Sequence, residues 1–174
     1  MAFGSLKVIL ETAEQKEVPF WEAVLLDDMN ERNVKREESL KQMERLWHAM
    51  LEAAGAYDGK LCSNSGLVGG DGQKMEEYVK RGDTLCGPFV GKVLTGAIQM
   101  GESNACMKRI VAAPTAGSCG VLPAVLVPYF QERGIQEQWV LGALYTAAGC
   151  GQVSARRASI SGAAGGGQAE VGSA

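Results

Sequence analysis

Three glycine-rich segments hold the residue types that could carry chemistry in this 174-residue sequence. The first, residues 63–72 (SNSGLVGGDG), has consecutive small residues whose backbone N–H groups could form a nest around a carboxylate or a phosphate. No Gly-Lys-Ser/Thr follows it, and it does not match G-x-G-x-x-G, so it is neither a Walker loop nor a dinucleotide fingerprint. Composition alone also allows an ordinary connector at this position.

The second segment, residues 113–126 (APTAGSCGVLPAVL), places Cys119 directly before an apolar helical run. We therefore expect Cys119 near a helix N-terminus, where the positive end of the helix dipole lowers a thiol pKa and favours the thiolate. A thiolate at that position could bind a metal. The alternative is a small buried cysteine that packs at a tight helix entrance.

The third segment, residues 156–172 (RRASISGAAGGGQAEVG), combines two arginines with the hydroxyls of Ser159 and Ser161 and a run of glycines. This mixture suits the binding of a small anionic substrate. Cys150 lies just upstream between two glycines. A purely structural thiol is again the alternative interpretation for this cysteine.

The cysteine and histidine counts limit the metal sites and disulfides that the chain can form. Its five cysteines are an odd number without any C-x-x-C spacing, which argues against a disulfide framework, a zinc finger and a ferredoxin motif. Any metal site must therefore be assembled from distant segments. The single histidine, His48, lies beside Trp47 in a helical stretch and is interpreted as a packing residue rather than a catalytic base.

Composition excludes several broad classes of function. The formal charge of -3 lacks the basic excess of a nucleic-acid-binding protein. The longest apolar runs are shorter than a membrane-spanning helix, and the N-terminus has no basic region of a secretory signal. We therefore expect one cytoplasmic domain that binds neither nucleic acid nor membrane.

Hydrophobic periodicity predicts a mainly α fold. Residues 1–57 read as a helical N-terminal segment, in which a stripe of apolar residues marks a helix over Val34–Ala54. Charge becomes sparse from Asp58 onward, so residues 58–174 are interpreted as the catalytic segment, rich in glycine, alanine and cysteine. Its apolar runs lack the alternation of strands and are interpreted as buried helices. These runs are Val90–Met100, Val121–Phe130 and Val140–Ala148.

Several stretches resemble the alpha chain of the iron-sulfur-dependent L-serine dehydratases, bacterial enzymes that convert L-serine to pyruvate and ammonia. They are FWEAVLLDDMNERN, SGLVGGDGQKM, RIVAAPTAGSCGVLPAVL and ASISGAAGG-x-QAEVGSA, and together they extend over essentially the whole chain. The resemblance implies a single mostly helical domain and a 4Fe-4S cluster that three cysteine thiolates hold with one iron open as a Lewis acid. It also implies an oligomer that contains a beta chain with an ACT-like regulatory domain.

The same resemblance assigns individual residues. Cys119 occupies the cysteine of the family's PT-x-G-x-C-G motif and is the best cluster ligand, with Cys150 as a weaker one. The family's second signature cysteine precedes QAEVG, and Gly167 stands at that position here. Independently of the resemblance, Lys92 is a lysine within an apolar run, where its pKa could be depressed, so it is a candidate for the general base. A lysine snorkelling from a buried helix is the alternative. The substrate-binding candidates are Ser63, Ser65, Gly66, Thr115, Ser159 and Ser161.

Two further interpretations follow from the glycine at position 167 and from the point where the sequence stops. Family alpha chains continue beyond QAEVGSA, so we expect a C-terminally truncated domain. A glycine has no ligating atom, so the chain could instead be a cluster-less, inactive homologue that serves as a partner of a beta chain. A third hypothesis is a metal-free module that binds small anions through the arginine pair and the glycine nests.

Overall fold

The computed structural model describes residues 3–82 and 84–157, and within them it contains seven α-helices and no strand. The predicted mainly α fold is therefore confirmed. No helix in this part of the chain combines the length and the apolarity needed to cross a bilayer. The helices are α1 (Leu6–Gln15), α2 (Phe20–Arg32), α3 (Arg36–Gly55), α4 (Asp71–Lys80), α5 (Gly87–Ala105), α6 (Val121–Arg133) and α7 (Glu137–Arg157).

The helix ends follow from local side-chain and backbone chemistry. The Ser5 hydroxyl accepts the N–H of Val8 at 3.3 Å and so caps the start of α1. Asn33 adopts the left-handed conformation, with φ of 53°, and ends α2. The predicted helix Val34–Ala54 begins two residues later than expected, at Arg36, and runs one residue further, to Gly55.

The chain divides into two compact units, which are described separately. The first contains the described residues of 3–47 and 136–157, and the second contains those of 48–135. The composition change after residue 57 falls inside the second unit, so it does not coincide with the division between the units.

The first unit packs α1, α2 and α7 around a small apolar core. Ile9 and Leu25 have no exposed surface, and Tyr145 is 2% exposed. A Cβ on Gly149 of α7 would lie 2.7 Å from Cγ2 of Val24, so glycine lets α7 approach α2 closely. The buried Ser39 hydroxyl lies 2.6 Å from the Tyr145 hydroxyl and donates to Asp28 at 2.5 Å, so these two buried hydroxyls have hydrogen-bond partners.

The second unit is built on α5, which packs against α4 and α6. A Cβ on Gly91 would lie 2.9 Å from Cγ2 of Val79 in α4, and one on Gly96 would lie 3.4 Å from Cα of Ala124 in α6. The predicted helices over 90–100 and 121–130 are both present. Their expected burial is incomplete, because among the described residues each helix also has an exposed apolar face. The exposed side chains are Val90, Leu94 and Ile98 in α5 and Val125 and Tyr129 in α6.

Candidate functional site

Residues 61–70, here called the glycine loop, form an ordered turn rather than an open connector. The N–H of Ser63 donates to the Val68 carbonyl at 2.8 Å, and the N–H of Val68 donates to the Ser63 hydroxyl at 3.1 Å. The N–H of Gly66 donates to the Ser63 carbonyl at 2.8 Å. Some of the N–H groups that we expected to form an open nest therefore donate hydrogen bonds inside the loop instead. The polar groups on its exposed side include the Ser63 and Ser65 hydroxyls, which lie 3.1 Å apart.

Two glycines allow the chain to turn from this loop into α4. Gly69 has φ of 150°, and a Cβ there would overlap the carbonyl oxygen of Leu61. Gly70 has φ of 82° and occupies the N-cap position of α4. L-amino acids with a side chain rarely adopt either conformation, so the sequence GG before Asp71 is needed for this turn.

A buried carboxylate on α5 anchors the end of the glycine loop. Glu102 is 3% exposed. Its Oε1 accepts the N–H of Asp71 at 2.6 Å, at the first residue of α4, and its Oε2 accepts the Tyr57 hydroxyl at 2.5 Å. The positive end of the α4 dipole favours a negative charge there. Burial, together with the bond to Glu102, raises the pKa of Tyr57 to about 12.

Sequence reasoning missed this anchor, because no motif contains Tyr57 or Glu102. The one available signal was that Glu102 is the single acidic residue in α5, a helix that is otherwise apolar apart from Lys92 and a few polar residues. A charge in such a helix requires a partner if it is buried. Gly72 belongs to the same arrangement, since a Cβ there would lie 2.8 Å from the Tyr57 hydroxyl oxygen.

Residues 113–120, here called the cis-proline turn, contain a cis peptide bond between Ala113 and Pro114. The buried Ser118 hydroxyl organises the turn, because it accepts the N–H of Thr115 at 3.2 Å and donates to the Ala113 carbonyl at 2.9 Å. The Thr115 hydroxyl accepts the Ser118 N–H at 3.4 Å. Thr115, a predicted substrate-binding residue, thus contributes to the shape of the turn.

Cys119 lies in this turn two residues before α6, which confirms its expected position near a helix N-terminus. The expected lowering of its pKa was wrong. The residue is 1% exposed, and burial raises the pKa of the Cys119 thiol. Its Sγ lies 4.0 Å from the Met100 carbonyl oxygen of α5. The N-terminus of α6 does not offset the loss of water around this sulfur.

The cluster that the resemblance implies needs three converging thiolates with space for iron beside each sulfur. All five cysteines are free thiols, but only Cys119 is buried, and it packs against the backbone of α5. Among the described residues, no cysteine lies close enough to two other Cys, His, Asp or Glu side chains for the three of them to bind one metal ion. The sealed Cys119 thiol, packed against α5, is therefore an unfavourable ligand for a cluster. Position 167 lies outside the described residues.

The remaining predicted site residues are placed as follows. Lys92 is exposed on α5 and forms an ion pair with Glu132 of α6, which agrees with the snorkelling alternative. Cys150 is exposed on α7 in the first unit. Ser159 and Ser161 lie outside the described residues.

The glycine loop and the cis-proline turn are held by the same stretch of α5. The Asn104 side chain donates to the Ala116 carbonyl of the turn at 3.0 Å, and Met100 contacts Cys119, whereas Glu102 holds the loop. Met100 and Glu102 are two residues apart on a helix, so they point about 160° away from each other. The structure thus brings both segments to one helix but to opposite faces of it.

The second unit also contains a cavity of about 370 Å³ between α3, α4, α5 and α6. Its lining is mainly apolar, with Val79, Met100 and Val127 among the side chains. Lys80 and Lys92 at its edge are paired with acidic residues. Such a cavity suits an apolar group better than a zwitterionic amino acid, so the exposed hydroxyls of the glycine loop are the better candidate for a small polar ligand.

Comparisons with known proteins bear on the chain as a whole. The family profile described as Serine dehydratase alpha chain matches residues 15–174. The chain is 35% identical over 172 residues to a probable L-serine dehydratase alpha chain of Bacillus subtilis, covering 99% of this chain and 57% of that protein. It is 30% identical over 176 residues to the L-serine dehydratase alpha chain of Peptoniphilus asaccharolyticus, covering 98% of this chain and 59% of that one. No solved structure matches.

Proposed function

Because the chain belongs to the serine dehydratase alpha chain family, we propose that it is the alpha-chain part of an enzyme that converts L-serine to pyruvate and ammonia. The observation that carries this proposal is the family match over residues 15–174, which includes both the glycine loop and the cis-proline turn. The chain spans slightly more than half the length of the relatives named above, so activity belongs to the complete enzyme.

The reaction requires removal of the α-proton of serine and departure of its hydroxyl group, which gives an aminoacrylate that hydrolyses to pyruvate and ammonia. In our proposal the glycine loop binds the substrate. Ser65 is exposed and Ser63 is half-buried, and their hydroxyls lie 3.1 Å apart. One hydroxyl donates to the other, so the pair can direct one donor hydrogen to the serine carboxylate. Glu102 positions this loop through Asp71, and it does not itself touch substrate.

The family resemblance implies that a 4Fe-4S cluster supplies a Lewis acid for the departing hydroxyl, and that a beta chain completes the enzyme. Cys119 is sealed against α5 and Cys150 is exposed on α7, so neither is assigned a role in the reaction here. Lys92 is paired with Glu132 on the surface, which does not recommend it as the general base.

A second candidate function follows from the sealed Cys119 thiol together with Gly167. The chain is then a cluster-less homologue that binds a beta chain without catalysing the reaction. A buried, protonated thiol and a glycine at the family's cysteine position both disfavour cluster ligation.

One experiment distinguishes the two functions. The chain is assembled with a beta chain, reconstituted anaerobically with iron and sulfide, and assayed for bound iron, for visible cluster absorbance and for serine-dependent pyruvate. Pyruvate formation supports the dehydratase. A complex that forms but stays colourless and inactive supports the cluster-less partner. The Gly167→Cys variant, assayed in parallel, is expected to raise the iron content if position 167 is a ligand position.

A further inference from the structure

The cavity between α3, α4, α5 and α6 takes no part in the proposed function. It has a volume of about 370 Å³, and the apolar side chains of Leu51, Val79 and Val127 are among its walls. An apolar protein cavity of about 150 Å³ is large enough to bind one benzene molecule. A cavity of more than twice that volume therefore accommodates a small organic ligand of roughly 6–12 non-hydrogen atoms, and its volume lies within the range of ordinary ligand sites.

The charged side chains at the rim of this cavity form ion pairs. Lys80 pairs with Glu76 at 2.6 Å, and Lys92 pairs with Glu132. Both lysines and Glu76 belong to the lining, and each lysine has a carboxylate beside it. The two ion pairs together have no net formal charge, so the rim does not select an ion. A charged group enters an apolar cavity only at a cost in free energy, which favours a neutral ligand.

Pro128 leaves one backbone acceptor of α6 without its helical donor. In an α-helix the N–H of each residue donates to the carbonyl four residues earlier, but Pro128 has no N–H to donate to the Ala124 carbonyl. Ala124 is 4% exposed. Among the described residues, no group outside α6 donates a hydrogen bond to this carbonyl. The nearby buried Thr95 hydroxyl donates to the Gly91 carbonyl instead. A buried carbonyl in this situation gains free energy from a donor.

The Ala124 carbonyl belongs to the wall of the cavity. Gly96, Ala124 and Pro128 all line it. The Ala124 carbonyl oxygen lies 3.9 Å from the position that a Cβ on Gly96 would occupy, so it is on the side of α6 that faces α5. Because Gly96 has no side chain, that residue leaves space beside the oxygen. The cavity thus combines apolar walls with one main-chain acceptor that lacks its usual partner.

We propose that this cavity binds a small neutral aliphatic molecule whose hydroxyl group donates a hydrogen bond to the Ala124 carbonyl. The apolar walls remove the hydrocarbon part of the ligand from water. The hydroxyl supplies the donor that Pro128 does not provide. This inference concerns a second site, apart from the glycine loop, and it does not depend on whether the complete enzyme acts on serine.

Two isomeric probes test whether the carbonyl selects the ligand. 1-Hexanol and methyl pentyl ether contain the same atoms, but only the alcohol has an O–H to donate. Isothermal titration calorimetry measures the affinity of the chain for each of them. We expect the alcohol to bind about fivefold or more tightly than the ether, because only the alcohol satisfies the Ala124 carbonyl. Binding of the alcohol should also raise the unfolding temperature.

Pro128→Ala tests the role of the proline directly. The new N–H at position 128 donates to the Ala124 carbonyl within α6 and so occupies the acceptor. We expect the ratio of the two affinities, alcohol over ether, to fall to about 1 in this variant. The ratio is the informative quantity, because a change in the shape of the wall affects both isomers alike. The variant should also be more stable than the wild type, since an alanine replaces a proline inside a helix.

Ala54→Leu tests the location of the site. Ala54 lines the cavity from α3, so the larger side chain fills part of the ligand space and should weaken binding of the alcohol about tenfold or more. Ala105→Leu is the matched control, because Ala105 lies in an exposed position at the end of α5 and is not part of the lining. It should leave the affinity unchanged. Circular dichroism establishes that the variants are folded.

Four results would overturn the proposal. Equal affinity of the wild type for the alcohol and the ether would show that the Ala124 carbonyl does not select the ligand. A preference for the alcohol that persists in Pro128→Ala would lead to the same conclusion. Unchanged binding by folded Ala54→Leu would place the ligand elsewhere. Absence of binding of 1-hexanol up to its solubility limit would mean that the cavity holds water only.

Discussion

The Tyr57 hydroxyl oxygen lies 2.5 Å from Oε2 of Glu102, while the other oxygen of the same carboxylate accepts the Asp71 N–H at 2.6 Å. One buried side chain thus joins Tyr57, two residues after the end of α3, to the first residue of α4. Because Asp71 directly follows the glycine loop, the carboxylate of Glu102 determines where that loop ends. The proposed substrate surface depends on a residue that does not contact substrate.

Removal of the Glu102 carboxylate is expected to destabilise the fold. Glu102→Ala leaves the Asp71 N–H and the Tyr57 hydroxyl without their partner, which should lower the free energy of unfolding by about 2–4 kcal/mol. Glu102→Gln retains an acceptor and should cost about half as much. Urea denaturation measures both. Glu76→Gln removes an exposed ion pair with Lys80 and should change stability by less than about 1 kcal/mol. Equal losses for Glu76→Gln and Glu102→Ala would refute the anchor role.

The raised pKa of Tyr57 predicts a pH dependence at the alkaline end. A pKa of about 12 in the folded chain, above the ordinary value of 10.0, means that the folded state retains the proton that the unfolded state loses first. The resulting stability is complete below pH 10 and is lost as the pH rises toward 12. We expect the stability difference between the wild type and Tyr57→Phe to shrink over that interval. A difference that stays constant from pH 8 to about 11.5 would contradict the assignment.

Two glycine substitutions compare a position whose backbone conformation requires glycine with a position that tolerates a side chain. Gly69→Ala places a Cβ against the Leu61 carbonyl in a conformation that favours glycine, so we expect a loss of more than about 2 kcal/mol and a rearranged glycine loop. Gly151→Ala is the control, because a Cβ there meets nothing within 4 Å inside α7 and should stabilise the chain by about 0.5–1 kcal/mol. Thermal unfolding measures both, and a tolerated Gly69→Ala would show that the turn is misassigned.

The burial of Cys119 predicts low thiol reactivity in the folded chain. Its thiol is sealed against α5 and has a raised pKa, so alkylation by iodoacetamide near neutral pH should be at least tenfold slower than at the exposed Cys62 and Cys86. Peptide mass spectrometry resolves the individual sites. Full reactivity should return in denaturant. Rapid alkylation of Cys119 in the native chain would mean that the sulfur is accessible to iron after all, which would restore the cluster assignment.

The sequence predicts the helices well but predicts their exposure poorly. Periodicity located α3, α5, α6 and α7, because helix formation depends on residues three and four apart, which the sequence displays directly. The exposed apolar side chains of α5, which are Val90, Leu94 and Ile98, show the limit of this reasoning, since an apolar helix face does not reveal which neighbours cover it. Helix α4 was missed because it is short and polar, and its stability depends on Glu102 at its N-terminus.

Only those parts of the candidate site that lie within one local sequence motif could be predicted from the sequence. The position of Cys119 at the start of a helix follows from APTAGSCG, but its burial depends on Met100, which is distant in sequence. The sequence SNSG named the Ser63 and Ser65 hydroxyls as candidate substrate-binding groups. Only the backbone conformation shows that the N–H groups of Ser63 and Gly66 form hydrogen bonds inside the loop. Long-range partners have no local sequence signal, so they appear only in the structure.

L-serine binding by the alpha–beta complex, measured by isothermal titration calorimetry, tests the central claim that the glycine loop binds the substrate. We predict that Ser65→Ala weakens L-serine binding about tenfold, which is the size of effect expected for one hydrogen bond to a charged carboxylate. Thr146→Ala, in which the lost hydroxyl bonds only to the Gly142 carbonyl of its own helix, should leave the affinity unchanged. Equal affinity in the wild type and Ser65→Ala, or the absence of any L-serine binding by the assembled complex, would contradict the account.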